Sequence, residues 1–102
     1  MPAAVNTSNR FAQALRETRS TLGITQEDFG VVSSRTYVSS LERGIKVPTL
    51  SKIDELASVM GIHPLTLLTL AYAKSSDHKA VEQVLQIVRN ELDAKLNQPI
   101  VL

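Results

Sequence analysis

Residues 25–44 read TQEDFGVVSSRTYVSSLERG and predict two short helices joined by a tight turn. Thr25 is a favourable N-terminal cap, and the acidic residues that follow it suit the positive end of a helix dipole. The pair Ser33–Ser34 interrupts the helical pattern and offers a second cap. A further helix is therefore predicted from about Arg35 to Arg43, and Gly44 ends it.

The second helix of this stretch has an apolar side and a polar side. Val38 and Leu41 are its apolar positions, and Phe29 and Val32 of the preceding helix are also predicted to face inward. The other side chains are short or rich in hydrogen-bond donors. They can approach the major groove of DNA closely and bond to base edges and phosphates. The residues predicted to project from the polar side are Thr36, Ser39, Ser40 and Arg43.

The rest of the chain is also predicted to be helical. Apolar residues recur three and four positions apart in short segments between residues 9 and 73, and Gly or Pro residues mark the turns. Five such short helices are stable only when packed together, so we expect one all-α bundle. Residues 1–8 are predicted to be a flexible arm, and residues 98–102 a tail in which Pro99 prevents a helix.

A sixth, longer helix is predicted within residues 74–97, after a polar boundary at Lys74 to Asp77. Its apolar stripe can fold back onto the bundle or pair with the same helix of a second copy. We favour the pairing, because a five-helix bundle should already bury its own core. The stripe consists of Val81, Val84, Leu85, Val88, Leu92 and Leu96.

The stretch from Asn9 to Tyr72 resembles the lambda-repressor/Cro type of helix-turn-helix domain, also called the Xre family. The resemblance rests on FAQALRETRSTLGITQEDF, YVSSLERG, the PTL at residues 48–50 and IDELASVMGIHPLTLL, at spacings similar to those of the family. It covers about 64 of the 102 residues. The resemblance implies a five-helix bundle whose third helix enters the major groove of double-stranded DNA, as in bacterial transcriptional regulators.

The resemblance also implies which residues contact DNA. Gln26 would contact a phosphate or brace a recognition side chain, Tyr37 would reach a phosphate, and Arg43 and Lys46 would lie near the DNA backbone. Glu42 is instead expected to pair with a nearby Arg or Lys, because a carboxylate repels phosphate. The full predicted interface comprises Gln26, Ser34, Arg35, Thr36, Tyr37, Ser39, Ser40, Arg43 and Lys46.

The chain departs from the family pattern in two ways. Gly30 stands where the family usually has Ala, and only the six residues 31–36 separate it from Tyr37, where the family commonly has eight. Glycine costs roughly 1 kcal/mol of helix stability against alanine, but it keeps a close contact between helices possible. The Gly-Leu pair usual in the family's turn is absent here. We expect a tighter turn or a shorter second helix, with Val32 filling the volume that the Leu would occupy.

The composition excludes several kinds of site. The chain has no Cys, which excludes disulfides and thiolate metal sites. Its two histidines, His63 and His78, have no companion at metal-ligand spacing, so neither a metal nor a cofactor is predicted. No nucleophile–base arrangement indicates an enzyme. Without a secretory signal or an apolar run of ~20 residues, a cytoplasmic, nucleoid-associated protein with no membrane contact is predicted.

These observations lead to two hypotheses about function. The first is a sequence-specific transcriptional regulator, most simply a repressor, that binds a palindromic operator as a homodimer. The second is a protein-interaction module such as the partner-binding half of an antitoxin, which fits the net charge of +1 and the shortened turn. The charge of residues 34–46 favours the DNA-binding hypothesis, because this segment contains the basic residues Arg35, Arg43 and Lys46 and one acidic residue, Glu42.

Overall fold

Every regular element in the described part of the chain is a helix. The computed structural model describes residues 9–96, with five α-helices and one 3₁₀-helix, η1. The predicted all-α class is therefore confirmed, whereas the predicted arm at 1–8 and tail at 98–102 lie outside the described residues. In chain order the elements are α1 (Phe11–Thr21), η1 (Gln26–Val31), α2 (Arg35–Glu42), α3 (Leu50–Met60), α4 (Pro64–Tyr72) and α5 (His78–Ala94).

Polar side chains cap the start of most of these helices. Each accepts a hydrogen bond from a first-turn backbone N–H, which would otherwise lack a partner. Thr25 and Asp28 do so reciprocally: the Thr25 hydroxyl accepts from the Asp28 N–H at 3.2 Å, and the Asp28 carboxylate accepts from the Thr25 N–H at 2.8 Å. The remaining caps are Ser34 for α2, Thr49 for α3, His63 for α4 and Asp77 for α5.

The prediction of an α-helix after Thr25 is wrong in type, because residues 26–31 form a 3₁₀-helix. A 3₁₀-helix rises about 2.0 Å per residue and an α-helix about 1.5 Å, so the six residues of η1 span ~12 Å. The shortening before Tyr37 falls in residues 31–36, most of which follow η1. The Val32 and Ser33 N–H groups then both donate to the Phe29 carbonyl at 2.9 Å, and Ser34 starts α2 at once.

Gly30 does not make the close contact between helices that its place in the sequence predicts. It is exposed, and a Cβ added to it would meet no atom within 4 Å. Phe29 occupies the core-facing position of η1 and is fully buried, so the next residue points towards solvent. The glycine at this position is therefore not required by packing.

The core lies where α1, η1, α2, α3 and α4 converge. Burying each large side chain there contributes about 1.5–3 kcal/mol. The inward orientation predicted for Phe29, Val38 and Leu41 is confirmed, and Val32 packs against the core while partly buried. The largest fully buried side chains are mostly aliphatic: Leu15, Phe29, Val38, Leu41, Leu56 and Leu67.

The last helix is attached to the bundle at one end. α5 packs mainly against α4, and Ala80 is the one buried residue among those that form it. Arg10 holds the α4 end of this junction: its backbone N–H donates to the Ala71 carbonyl at 2.6 Å, and its guanidinium donates to the carbonyl of Leu70 at 3.4 Å. Beyond its first turns, α5 leaves most of its surface exposed.

Candidate nucleic-acid interface

The outer side of α2 presents polar and basic side chains to solvent. Val38 and Leu41 are fully buried on its inner side, so the opposite side faces outward. Ser34, Arg35 and Thr36 are exposed at its N-terminal end, and Ser39 is half-buried one turn further on. The structure thus brings these predicted residues together on one helix face of suitable size for a groove.

Ser40 does not belong to this face, and the prediction that it projects outward is wrong. Its side chain is only 7% exposed, and its hydroxyl donates to the Thr36 carbonyl at 3.0 Å within α2. The turn after α2 folds back over it, because the backbone N–H groups of Ile45 and Lys46 donate to the Ser40 carbonyl at 2.9 and 3.4 Å. Ser40 therefore packs inside the protein.

A buried carboxylate anchors the C-terminal end of α2. Glu42 is 4% exposed and accepts two hydrogen bonds from the Arg19 guanidinium of α1, at 2.6 and 3.0 Å. This confirms the predicted pairing of Glu42 with a basic residue. The hydrogen bond from Arg19, with the charge of Glu42, raises the pKa of Arg19 above its ordinary value, against the opposing effect of burial. The Arg16 guanidinium adds a bond to the Glu42 carbonyl at 3.3 Å.

The same carboxylate also positions Gln26 at the start of η1. The Gln26 side-chain amide donates one N–H to Glu42 Oε1 at 3.0 Å, and its second N–H is not used in that bond. Glu42 thereby links three elements, α1, η1 and α2, at one point. The amide of Gln26 is held in one orientation beside the polar face of α2.

Two lysine ammonium groups lie close to the ring of Tyr37. The Nζ atoms of Lys46 and Lys52 are 5.7 and 5.6 Å from the centre of its ring, which is the range of cation–π attraction. Lys52 also donates to the Val32 carbonyl at 2.7 Å and pairs with Glu55 at 2.7 Å. It therefore ties the end of η1 to α3 beside the start of α2.

Sequence reasoning missed Lys52. In the sequence it is one lysine in the first turn of α3, and no local pattern distinguishes it from a solvent-exposed one. The packing of α3 against η1 brings it to Tyr37 and Val32. Only a prediction of that tertiary contact could have found it.

Two further basic residues border the polar face at its C-terminal side. Arg43 follows the last residue of α2 and is exposed, and Lys46 is exposed in the turn after it. Gly44 makes this turn possible with a φ of 74°, a left-handed conformation that favours glycine. Because α2 has eight residues, Arg35 and Arg43 lie about 12 Å apart along it and can reach different phosphates.

The stripe predicted for dimerisation is only partly covered by the bundle. Val81, Val84 and Leu92 are half-buried, whereas Leu85 is 39% exposed, Val88 48% and Leu96 61%. The contact with α4 shows that α5 folds back at its beginning, and the exposed part is left unpaired within residues 9–96. Ile87, which the stripe did not include, is 56% exposed as well.

Residues 9–96 contain neither a metal-binding cluster nor a membrane-spanning helix. No group of three or more His, Asp or Glu side chains there is arranged to hold a metal ion. None of the described helices is both long and apolar enough to cross a membrane.

Comparison with known proteins identifies relatives. The sequence model described as "Helix-turn-helix" matches residues 13–67. An uncharacterized HTH-type transcriptional regulator of Sinorhizobium fredii, y4dJ, is 40% identical over 63 residues, which cover 60% of this chain and 77% of that protein. The hypothetical transcription factor NHTF from Neisseria superposes with a TM-score of 0.54 at 30% identity, over 67% of this chain and 85% of its own.

A second solved structure supports the fold alone. A variant of PrgX superposes with a TM-score of 0.58 over 87% of this chain, but over 32% of the PrgX chain and at 19% identity. Its alignment extends over more of this chain than that of NHTF, so the similarity in architecture is not confined to the central helices.

Proposed function

This chain belongs to the lambda-repressor/Cro-like (Xre) helix-turn-helix family of DNA-binding transcriptional regulators, and we propose that it represses transcription by binding a palindromic operator as a homodimer. In this proposal residues 9–73 form the DNA-binding unit, with α2 as the recognition helix, and residues 74–97 provide the dimer contact. Repression requires only that the operator be occupied. We further propose that the protein acts in the cytoplasm, in association with the nucleoid.

One observation carries the proposal: the outer face of α2 is polar, exposed and rigidly mounted. Arg35 and Thr36 are exposed at the end that would enter the groove first, and Ser39 lies on the turn behind them. The Glu42–Arg19 pair fixes the other end of the helix against α1. Small polar side chains on a fixed helix can make directional bonds to base edges, which is how sequence is read directly.

The local charge supports the same assignment despite the net charge of +1. Glu42, the one acidic residue within 34–46, is buried and paired with Arg19, so it opposes an approaching phosphate very little. Arg35, Arg43 and Lys46 are all exposed around α2. Phosphate contacts by such residues supply most of the sequence-independent part of the affinity.

The exposed stripe on α5 supports a homodimer. Apolar side chains that stay exposed on one helix are typical of a surface that a partner covers. A two-fold dimer presents two copies of α2, and such dimers read two half-sites about 34 Å apart on one side of the duplex. The operator expected for this protein is therefore an inverted repeat of that spacing.

The experiment is a selection of bound sequences from a random pool of duplex DNA, followed by titration of the selected duplex in a gel-shift assay. We expect an inverted repeat, and we expect Arg35→Ala to weaken binding about tenfold or more. Lys74→Ala is the matched control, because it removes the same charge from an exposed site in the segment between α4 and α5. An unenriched pool, or equal losses in both variants, contradicts the proposal.

The alternative hypothesis, a protein-interaction module, predicts a different outcome of the DNA selection and the gel-shift assay. A module that uses this fold only to dock another protein would bind no duplex at ~100 mM salt, and it would retain one stoichiometric protein in a pull-down. Repression itself is tested by a reporter gene placed behind the selected operator. Activation of that reporter on expression of the protein would contradict the proposed direction of control.

A further inference from the structure

We infer that the two copies of α5 pair antiparallel, in the one register that places Val81 of each chain opposite Leu92 of the other. The inference rests on the homodimer proposed above and adds the orientation and register of its helices. The partner that covers the exposed face of α5 is a second copy of this chain. The inference is drawn from the pattern of exposed apolar and charged residues on α5.

The apolar seam of α5 has the spacing of a helix pair. Val81, Leu85, Val88 and Leu92 follow one another at intervals of four, three and four residues, which is the alternation that keeps a seam facing a partner helix. Leu85 is 39% exposed and Val88 48%, so the middle of the seam is open in the single chain. The seam lies beside Ala80, the residue through which α5 contacts the bundle.

Charges beside the seam favour the antiparallel orientation. Glu82 and Arg89 flank the seam on the same side, seven residues apart. In the proposed register, Val81 lies opposite Leu92 and Leu85 lies opposite Val88. Glu82 of each chain then lies beside Arg89 of the other. The two-fold symmetry of the dimer forms this pair twice. Within residues 9–96 neither Glu82 nor Arg89 forms an ion pair.

A parallel pair loses this complementarity. Flanking residues five positions apart then meet across the seam, which places Asp77 beside Glu82 of the second copy. The parallel arrangement also places each seam residue against its own copy, so that Lys95 meets Lys95 at the end of the seam. Both contacts join like charges.

The two antiparallel registers shifted by one heptad are also unfavourable. One would pair Val88 with Leu92 twice, but it would set Arg89 against Arg89 on one side of the seam and Glu91 against Glu91 on the other. The other would pair Val81 with Leu85 twice and would set Glu82 against Glu82. Like charges directly opposite each other oppose association. Of the four arrangements, only the one centred between Gln86 and Ile87 places opposite charges together.

The test uses the absence of cysteine from this chain, since any engineered cysteine is then the only thiol. Val81→Cys and Leu92→Cys are prepared separately, with tags of different length that distinguish the two chains. Each variant is oxidised by itself, and an equimolar mixture of the two variants is oxidised in parallel. We expect a disulfide-linked dimer in the mixture that contains one chain of each kind. Each variant alone should give none, because antiparallel copies of residue 81 lie ~16 Å apart along the axis, beyond disulfide reach.

The outcomes separate the inference from the homodimer itself. Cross-linking of Val81→Cys with itself shows a parallel pair and overturns the inference while the homodimer stands. A chain that sediments as a dimer but gives no cross-link in any mixture dimerises through another surface, which also overturns it. If the unmodified chain is a monomer by sedimentation, both the homodimer and the inference fail.

Charge reversal supplies a second, independent test. Glu82→Arg alone should weaken dimerisation about tenfold, and so should Arg89→Glu alone, because each places like charges together at two symmetric positions. The double variant should restore the dissociation constant to within about twofold of the original. Failure of the double variant to recover, with the helical circular dichroism of all variants unchanged, would overturn the proposed register.

Discussion

At the scale of single residues, Glu42 is the side chain on which the geometry of the recognition helix depends. It is 4% exposed and bonded to both Arg19 and Gln26. Glu42→Ala should lower the free energy of unfolding by about 3 kcal/mol, because it leaves the partly buried guanidinium of Arg19 without its charge partner. Denaturant titration measures this loss. Glu17→Ala, which breaks the more exposed Arg10–Glu17 pair at 3.4 Å, should cost less than about 1 kcal/mol.

Ser39 and Ser40 are neighbours with opposite expected roles. Ser40 is buried and bonds within α2, so Ser40→Ala should leave DNA affinity within about twofold of the original. Ser39→Ala should weaken binding about fivefold, because a hydrogen bond at a protein–DNA contact contributes about 1 kcal/mol. Gel-shift titrations of the two variants on one operator compare them directly. A larger loss for Ser40→Ala would contradict the assignment of faces.

At the scale of elements, replacement of Gly30 and of Gly61 by alanine should change stability in opposite directions. Gly30 lies in η1 without a left-handed φ, and an added Cβ would meet open space. Gly30→Ala should therefore raise the free energy of unfolding by about 0.4–1 kcal/mol, because alanine lowers the conformational entropy of the unfolded chain. Gly61 has a φ of 71° at the end of α3, and Gly61→Ala should lower stability by about 1 kcal/mol. Thermal unfolding of both variants tests the pair, and destabilisation by Gly30→Ala would show that η1 needs the glycine.

The start of α5 is expected to depend on pH through Asp77. The Ser75 hydroxyl donates to its carboxylate, as does the Ala80 N–H, and both hold the pKa of Asp77 below its ordinary value of 3.8. A lowered pKa adds stability above 3.8, and this stability is lost as the pH falls below that value towards the folded pKa. The protection of the amides in the first turn of α5, taken relative to their intrinsic exchange rates, should fall in that range. In Asp77→Asn the side chain still caps the helix but has no carboxyl group to titrate. The amides of the first turn of α5 in this variant should therefore follow only the pH dependence of intrinsic exchange.

The elements also show how far the sequence could predict the fold. The periodic spacing of apolar residues and the caps at Thr25 and Thr49 located the helices correctly, because these signals are local. The type of η1 was not predictable in this way. It is set by tertiary packing around Phe29 and Val38, which are both fully buried. Lys52 at Tyr37 was missed for the same reason.

The candidate interface was predictable where it depended on helix periodicity. The inward positions Val38 and Leu41 placed Arg35 and Thr36 outside, and the structure agrees. Ser40 was misplaced because its burial comes from the turn that Gly44 directs back over α2, which a helical projection does not contain.

At the scale of the whole molecule, the salt dependence of binding should report the number of phosphate contacts. Each basic residue that neutralises a phosphate changes the slope of log affinity against log salt by about 0.9. Removing Lys46 from both subunits of a dimer should therefore reduce the slope by about 2, with little change in sequence preference. Titrations between 50 and 200 mM salt measure it. Lys74→Ala should leave the slope unchanged, and a loss of slope there would show that the segment after α4 also touches DNA.

The four aromatic rings of the chain lie in four different surroundings, and the chain has no tryptophan. Phe29 is in the centre of the core, and Phe11 is at its edge. Tyr37 lies in α2 close to two lysines, and Tyr72 is exposed at the end of α4. In a protein with isotope-labelled tyrosine, the magnetic resonance spectrum would therefore contain two tyrosine ring signals, one of them from Tyr37 on the proposed recognition helix. The protein thus carries its own spectroscopic probe of operator binding, and no dye or spin label has to be attached.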